Sequence, residues 1–226
     1  MGEKGVHFSY PFSSFSVSYT TDRNGRSSAA ASLGSVSYIQ ASSVMSLGSA
    51  TPATIMGWVY YSTPVAAYPN AIKLSAYGCG RAGMLIGDDS TMDRQYGHFA
   101  EDCISSANVR QSSVREEWHH WAASYSGTEL EVFFDGVSIG TESYPGAFIT
   151  PQAVTLVLGG GSVSDTHARF VGYLDEVRVY DRALTSEGSL LYYEPVAEST
   201  RTPRGTGIGV TSGWSQIGRS RPVPIS

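Results

Sequence analysis

Apolar residues along this chain recur with period 2 over short stretches rather than with the 3.6-residue period of a helix. Gly, Asp, Asn, Ser and Pro separate the stretches at intervals of about ten residues, the spacing of a sandwich or barrel. The pattern predicts strands over 36–40, 54–61, 71–77, 83–87, 95–100, 118–125, 129–135, 137–142, 153–159 and 168–180. Residues 129–135 alternate most cleanly. Leu130, Val132 and Phe134 fall on one face, and Glu131, Phe133 and Asp135 on the other. Ser126-Gly127-Thr128 and Asp135-Gly136 supply the flanking hairpin turns. Residues 54–61 are apolar on both faces, with Ile55, Val59 and Tyr61 on one side and Met56, Trp58 and Tyr60 on the other. Such a strand is expected at the centre of a sheet, covered twice.

After Tyr180 the pattern changes to DRALTSEGSLLYYEP, where Thr185 can cap a short helix, Glu187 suits its N-terminal dipole and Gly188 ends it. Beyond Pro195 no period persists, and Gly, Pro, Ser and Arg dominate. This stretch is expected to be an extended arm that gains its order from contact with something else, with Ile208, Val210, Trp214 and Ile217 as anchors. The expected organisation is one domain over residues 1–194 and an arm over 195–226.

Composition sharpens this picture. Only 15% of the 226 residues are charged, while 25 Gly and 14 Tyr suit strands joined by turns. The net charge of −5 is unevenly placed: the arm holds Arg201, Arg204, Arg219 and Arg221 against Glu198, so it carries +3 and leaves −8 on the rest. An acidic body has no general attraction for nucleic acid or an anionic membrane. No apolar run approaches the roughly 18 residues of a membrane span. The opening MGEKGVHFSYPFSSF lacks a basic stretch followed by an apolar one, so the chain as written is expected to be soluble and unexported. Cys79 and Cys103 are too few for a four-thiolate zinc site and are either a disulfide pair or two free thiols.

The segment EWHHWA brings His119 and His120 between Trp118 and Trp121, residue types that suit acid-base or metal chemistry. On a strand, however, adjacent residues point to opposite faces, so the two histidines cannot hold one ion together.

The order of these segments resembles the laminin G-like module of the concanavalin A-like lectin/glucanase superfamily. The residues that carry the resemblance are YPF, DRNG, SYIQ, ATIMGWVYYST, EWHHWAASYSGTELEVFFDGVSIG, LVLGGG and FVGYLDEVRVYDRALTSEG, from about Tyr10 to Tyr193. The resemblance implies an all-β, two-sheet antiparallel jelly-roll sandwich with one short helix and an extended C-terminal arm. It also implies that Trp118 and its hairpin are structural, and that sugars or proteins bind at a sheet face or loop rim. The superfamily includes glycosidases, whose retaining members need two carboxylates about 5 Å apart. Their E-x-D-x-E pattern is missing: Phe133 follows Glu129 and Glu131, and Asp175 and Glu176 point to opposite faces. No nucleophile elbow, P-loop or H-E-x-x-H pair occurs, and the G-x-G-x-G of residues 205–209 lies in the arm. No catalytic residue is expected.

Three candidate sites remain. Asp175 shares strand parity with Val171, Tyr173, Val177 and Val179, an apolar face on which a bare carboxylate is costly. Either it shares a calcium ion with Asp22 and Asn24, or it accepts backbone N–H bonds, pairs with an arginine, or leaves the face through a bulge. The acidic group Asp88, Asp89, Asp93, Glu101 and Asp102 is a second calcium candidate or a solvated turn. For a sugar, Tyr60, Tyr68, Tyr77 and Tyr96 offer aromatic planes and Asp89 a hydrogen-bonding partner, although strand aromatics more often fill a core.

The function expected is a non-enzymatic structural or adhesion protein with a lectin-like module. It is expected at the surface of a multi-subunit particle, a phage or virus capsid decoration, spike or tail protein, attached to neighbouring subunits through its arm. The alternative is an extracellular carbohydrate-binding lectin with calcium as a candidate cofactor.

Overall fold

A computed structural model describes residues 7–8, 12–62, 67–75, 82–101, 105–144, 150–160, 169–186, 188, 193 and 217–218. In chain order the strands are β1 (His7–Phe8), β2 (Phe12–Phe15), β3 (Ser18–Thr20), β4 (Ala30–Leu33), β5 (Tyr38–Leu47), β6 (Ala53–Tyr61), β7 (Asn70–Ser75) and β8 (Ala82–Asp89). There follow β9 (Arg94–Glu101), β10 (Ser105–Ser112), β11 (Trp118–Tyr125), β12 (Glu129–Phe134), β13 (Val137–Ser143), β14 (Gln152–Leu158), β15 (Gly172–Tyr180) and β16 (Ile217–Gly218). One seven-stranded sheet runs β10-β9-β8-β7-β14-β5-β2, here the front sheet. The back sheet, also of seven strands, runs β13-β12-β11-β6-β15-β4-β3. Every described pairing is antiparallel, giving the expected two-sheet sandwich.

The doubly apolar strand β6 sits centrally in the back sheet, between β11 and β15. Its inner residues Ile55, Val59 and Tyr61 meet Ile72, Leu74, Met84 and Phe99 of the front sheet in the main core. Its outer residue Met56 joins a second cluster with Ala122, Phe133, Tyr180 and Leu184. The chain leaving β15 covers that cluster and is pinned there by two buried hydroxyls. Leu184 N–H donates to Thr54 Oγ1 at 3.0 Å and to Ser124 Oγ at 2.9 Å, while those hydroxyls donate to the carbonyls of Arg182 and Leu184. Ser186 and Gly188 have helical backbone, and Gly188 N–H donates to Thr185 Oγ1 at 3.4 Å, the N-cap bond expected there.

Besides the two-residue β1 and β16, four strands carried too little apolar alternation to be predicted. Strands β2, β3, β4 and β10 lie at or beside sheet edges, and all four residues of β2 are exposed. At the far edge the side chain of Glu142 accepts the Asn108 N–H of edge strand β10 at 2.6 Å, tying the two sheets together. Of the arm, the described residues are Ile217–Gly218, which pair with His7–Phe8 as a two-stranded ribbon beside β15. Tyr77, Cys79, Cys103, Arg201, Arg204, Trp214, Arg219 and Arg221 lie outside the described residues.

A bulge in β15 fixes the faces around the site. Asp175 pairs with Trp58 and Arg178 with Met56, so Glu176 and Val177 together oppose Gly57. Glu176 takes a φ of 47°. A Cβ on Gly57 would lie 3.0 Å from Val177 Cγ2 and 3.2 Å from its Cα, so the bulge needs glycine opposite it. The bulge changes parity: Leu174, Val177 and Val179 enter the main core, while Asp175 stays with Tyr173 and Trp58 on the outer face. The expected shared face of Asp175 with Val177 and Val179 is therefore corrected.

Gly97 on β9 is where the two sheets approach closely, because an added Cβ would collide with Val132 Cγ2 of the back sheet. Replacing Gly97 by Ala is expected to cost about 1–3 kcal/mol in urea denaturation. Adding Val132→Ala should recover part of that loss; if the double variant is as unstable as the sum of the two singles, the close approach is not the cause.

Candidate functional site

Between its covered lower half and its upper end, the outer face of the back sheet carries two rows of side chains running across three strands. Trp118, Tyr60 and Tyr173 are direct cross-strand partners on β11, β6 and β15. Their ring centroids lie 5.8 Å apart for Trp118 and Tyr60, 5.0 Å for Tyr60 and Tyr173, and 6.2 Å for Trp118 and Tyr173. All three are half-buried. Two residues along each strand lies the second row, His120, Trp58 and Asp175.

The second row is buried and polar. The Trp58 and His120 rings meet edge to face with centroids 5.5 Å apart. From the turn after β3, the Arg23 guanidinium lies 4.3 Å above the Trp58 ring and donates to Asp175 at 2.8 Å and Glu176 at 3.2 Å. The Tyr193 ring stacks on Trp58 at 5.6 Å. Four buried polar atoms here have no partner among the described residues: Trp58 Nε1, His120 Nδ1, Asp175 Oδ1 and Arg23 Nε. Burial pushes His120 down to about 3, so it is neutral. Burial first and Glu176 second push Asp175 up to about 6, against the pull of Arg23.

The other residues of the DRNG turn serve that same network. Asp22 Oδ1 accepts the N–H groups of Asn24 at 2.9 Å and Arg26 at 2.8 Å, and its Oδ2 accepts from Arg26 Nε at 2.5 Å. Arg26 also lies 4.0 Å, and Arg178 3.5 Å, from Glu176. The positive charges beside Asp22 and Asp175 are thus guanidinium groups. Among the described residues no cluster of three or more His, Cys, Asp or Glu is placed to hold a metal.

The two histidines part as alternation requires. His119 Nδ1 lies 2.8 Å from Asp135 Oδ2, its Nε2 is at ion-pair distance, 3.5 Å, from Glu117, and its ring stacks on Phe134 at 4.5 Å. Although burial opposes it, the bond to Asp135 raises the His119 pKa. Asp135 closes the hairpin as well: its Oδ1 accepts His120 N–H and its own N–H donates to His120 O, each at 2.8 Å. These contacts make the histidine segment a structural clasp.

Of the expected sugar ligands, Tyr68, Asp89 and Tyr96 gather at one end of the front sheet. Burial pushes the Tyr96 phenol up to about 12, with Asp89 and Tyr68 adding to the shift. Asp89 Oδ1 accepts the Thr91 hydroxyl at 2.6 Å, and Tyr68 is exposed. Asp88 is buried against Arg115 at 2.9 Å, and Arg115 also reaches Asp93 at 2.6 Å, so Arg115 balances two of the acidic charges. Tyr60 stands apart from this group on the opposite sheet. Sequence reasoning passed over Arg23, Trp58, His120 and Tyr173 as site residues. The parity of Trp58 with Tyr60, of His120 with Trp118 and of Tyr173 with Asp175 was readable within each strand, but the register that aligns the strands and the turn that delivers Arg23 were not.

The model of a laminin G-like family, described as the concanavalin A-like lectin/glucanases superfamily, matches residues 33–188. At the level of sequence alone no curated protein matches the chain. Solved structures share the fold. A heptameric SAP-like pentraxin from Limulus polyphemus is 15% identical over 89% of this chain and 90% of that one, with a TM-score of 0.56. Domain 4 of the extracellular GH43 arabinanase AbnA from Geobacillus stearothermophilus, in complex with arabinotriose, is 17% identical over 81% and 88%, with a TM-score of 0.59. The binding domain of Paraclostridial Mosquitocidal Protein 1 is 11% identical over 81% of this chain but 47% of that one, with a TM-score of 0.60.

The two buried titratable groups act on stability with opposite sign. His120 falls from its ordinary 6.5 to about 3, so its contribution is present above pH 6.5 and lost as pH falls through that window. Asp175 rises from 3.8 to about 6, so its contribution is present at low pH and lost as pH rises through that window. Each slope approaches about 1.4 kcal/mol per pH unit inside its window. In urea denaturation at pH 4 to 7, His120→Gln should reduce the loss of stability on acidification relative to the parent, and Asp175→Asn should enlarge it. Slope changes of the same sign in both variants would contradict this assignment.

Proposed function

The chain belongs to the concanavalin A-like lectin/glucanase superfamily, and from that premise we propose that it is a non-enzymatic adhesion protein that holds a saccharide on the Trp118, Tyr60 and Tyr173 row. The observation that carries this reading is three half-exposed aromatic rings in register on adjacent strands of an open sheet face. The ring planes are inclined, by 66° between Trp118 and Tyr60 and by 38–39° between Tyr173 and each of them, so the row offers angled π-faces and edges to the C–H side of a sugar ring, with hydrogen-bonding groups on the next row to fix its orientation. The arabinanase domain bound to arabinotriose and the toxin binding domain support a recognition role for this fold. Glycosidases share the superfamily, but here Asp175 and Glu176 are both tied to Arg23, and Glu129 and Glu131 stand on β12 next to Phe133, away from this row. Those pairings favour recognition over hydrolysis.

A second element of the proposal concerns assembly. Residues 217–218 pair with His7–Phe8 of the same chain, so attachment falls to the rest of the arm, where the +3 charge over 195–226 complements the −8 of the remainder and suits it to lie across the acidic body of a neighbouring subunit at a particle surface.

In isothermal titration against a glycan-array hit, Trp118→Ala or Tyr60→Ala is expected to weaken binding by about tenfold or more with the melting temperature little changed. Full binding by both variants would move the site elsewhere. Assembly is checked by sedimentation of the full chain at micromolar concentration. A concentration-dependent oligomer is expected that dissociates when Arg201, Arg204, Arg219 and Arg221 are all replaced by Ser, and a monomeric parent would refute the tether.

A further inference from the structure

The four unpartnered polar atoms of the second row form one group, because each belongs to a side chain in contact with the next. Arg23 covers the Trp58 ring and binds Asp175, Asp175 is the cross-strand partner of Trp58, and His120 meets Trp58 on the other side. Trp58 is 6%, His120 1% and Asp175 0% exposed, so bulk solvent does not reach these atoms. Leaving one buried donor or acceptor unpaired costs about 1–3 kcal/mol. Four such atoms at one place call for a shared partner, buried water or the polar groups of a ligand.

The chemistry of the set narrows what that is. Arg23 Nε and Trp58 Nε1 are donors, Asp175 Oδ1 is an acceptor, and neutral His120 offers Nδ1 in either role. A ligand group that both donates and accepts at adjacent atoms satisfies the set, and a pair of neighbouring hydroxyls does so. An anion does not fit. The charges of Arg23, Arg26 and Arg178 are matched by Asp22, Asp175 and Glu176, which leaves no surplus cation to hold a carboxylate or phosphate.

The place is adjacent to the aromatic row, about two strand residues or 7 Å away, and its stacking position over Trp58 is taken by the half-buried Tyr193 ring, tilted only 24° from it. We propose that the Arg23, Trp58, His120 and Asp175 group is a subsite for the vicinal diol of a neutral sugar unit, which displaces Tyr193 from Trp58 while the neighbouring unit stacks on Trp118, Tyr60 and Tyr173. This inference rests on the saccharide-binding reading above and names the substrate class and the residues that select it.

The test uses the full chain, labelled with nitrogen-15, with arabinotriose, maltotriose and trigalacturonic acid as probes at millimolar concentration. The indole N–H signals are assigned with Trp58→Phe and Trp118→Phe. A neutral trisaccharide is expected to shift the indole N–H signals of both Trp58 and Trp118. Trp58→Phe keeps a stacking ring and removes the donor, so it should weaken binding by about tenfold with the fold retained. Asp175→Asn should weaken it by a similar factor, and Tyr193→Ala should strengthen it. A shift at Trp118 alone, with parent-like binding by Trp58→Phe, means that the second row holds buried water only; that result overturns the subsite and leaves the aromatic row standing. Preference for trigalacturonic acid overturns the neutral class, and weaker binding by Tyr193→Ala overturns the displacement. No shift at either indole with any probe sinks the subsite and the saccharide reading together.

Discussion

Strand β6 carries large apolar side chains on both faces, and an antiparallel sandwich covers only one face of a sheet by packing against its partner. The inner side chains Ile55, Val59 and Tyr61 are buried by the front sheet in the ordinary way. The outer ones require a separate solution, and the molecule uses two. Over Met56 the chain leaving β15 folds back, tied down by Thr54 and Ser124, and completes a small second core with Phe133, Tyr180 and Leu184. Over Trp58 the cover is a guanidinium and one phenol ring. Over Tyr60 the described residues supply only the neighbouring rings of Trp118 and Tyr173. The outer face thus grades from dry core to open aromatic surface along one strand.

The middle step of that gradient depends on a buried ion pair. Removing one partner of such a pair typically costs about 3–5 kcal/mol, because the other is left charged and unsolvated. Here the arrangement is cross-braced. Arg23 is aimed by a turn whose shape Asp22 sets through two backbone N–H bonds, and Asp175 is aimed by the bulge at Glu176. A flat β15 would have sent Asp175 or its neighbours into the main core. The bulge keeps its carboxylate on the outer face, where it remains incompletely satisfied beside a neutral histidine.

Much of the architecture was legible because period 2 is a property of the chain itself. The opposite directions of His119 and His120, the two faces of 129–134 and the central place of β6 all follow from alternation, and the structure has them. The capped turn at Thr185 was readable from its hydroxyl and its neighbours. Strands β2, β3 and β10 were not readable, since an edge strand needs no apolar alternation to be held by one neighbour's hydrogen bonds, and β4, paired on both sides, is only four residues of mostly small side chains. Asp175 was singled out as a costly carboxylate with an arginine partner and a bulge among its expected outcomes, and the structure has both; its shared face with Val177 and Val179 fails because one extra residue in the bulge reverses parity for everything beyond it.

From its sequence alone, this protein was determined to be a strand-built sandwich or barrel with a doubly covered central strand and no helical core, because burial demands that side-chain type match strand period, while the two-sheet form was implied by its family resemblance. Register was left to the tertiary structure. Which residue of β11 and β15 stands opposite Tyr60 depends on turns, bulges and Gly57, and a slip of one position would have dispersed Trp118, Tyr60 and Tyr173 onto different faces. The choice of Arg23, 152 residues away from Asp175, as its partner was also decided only by folding, since no local spacing encodes a contact across that separation.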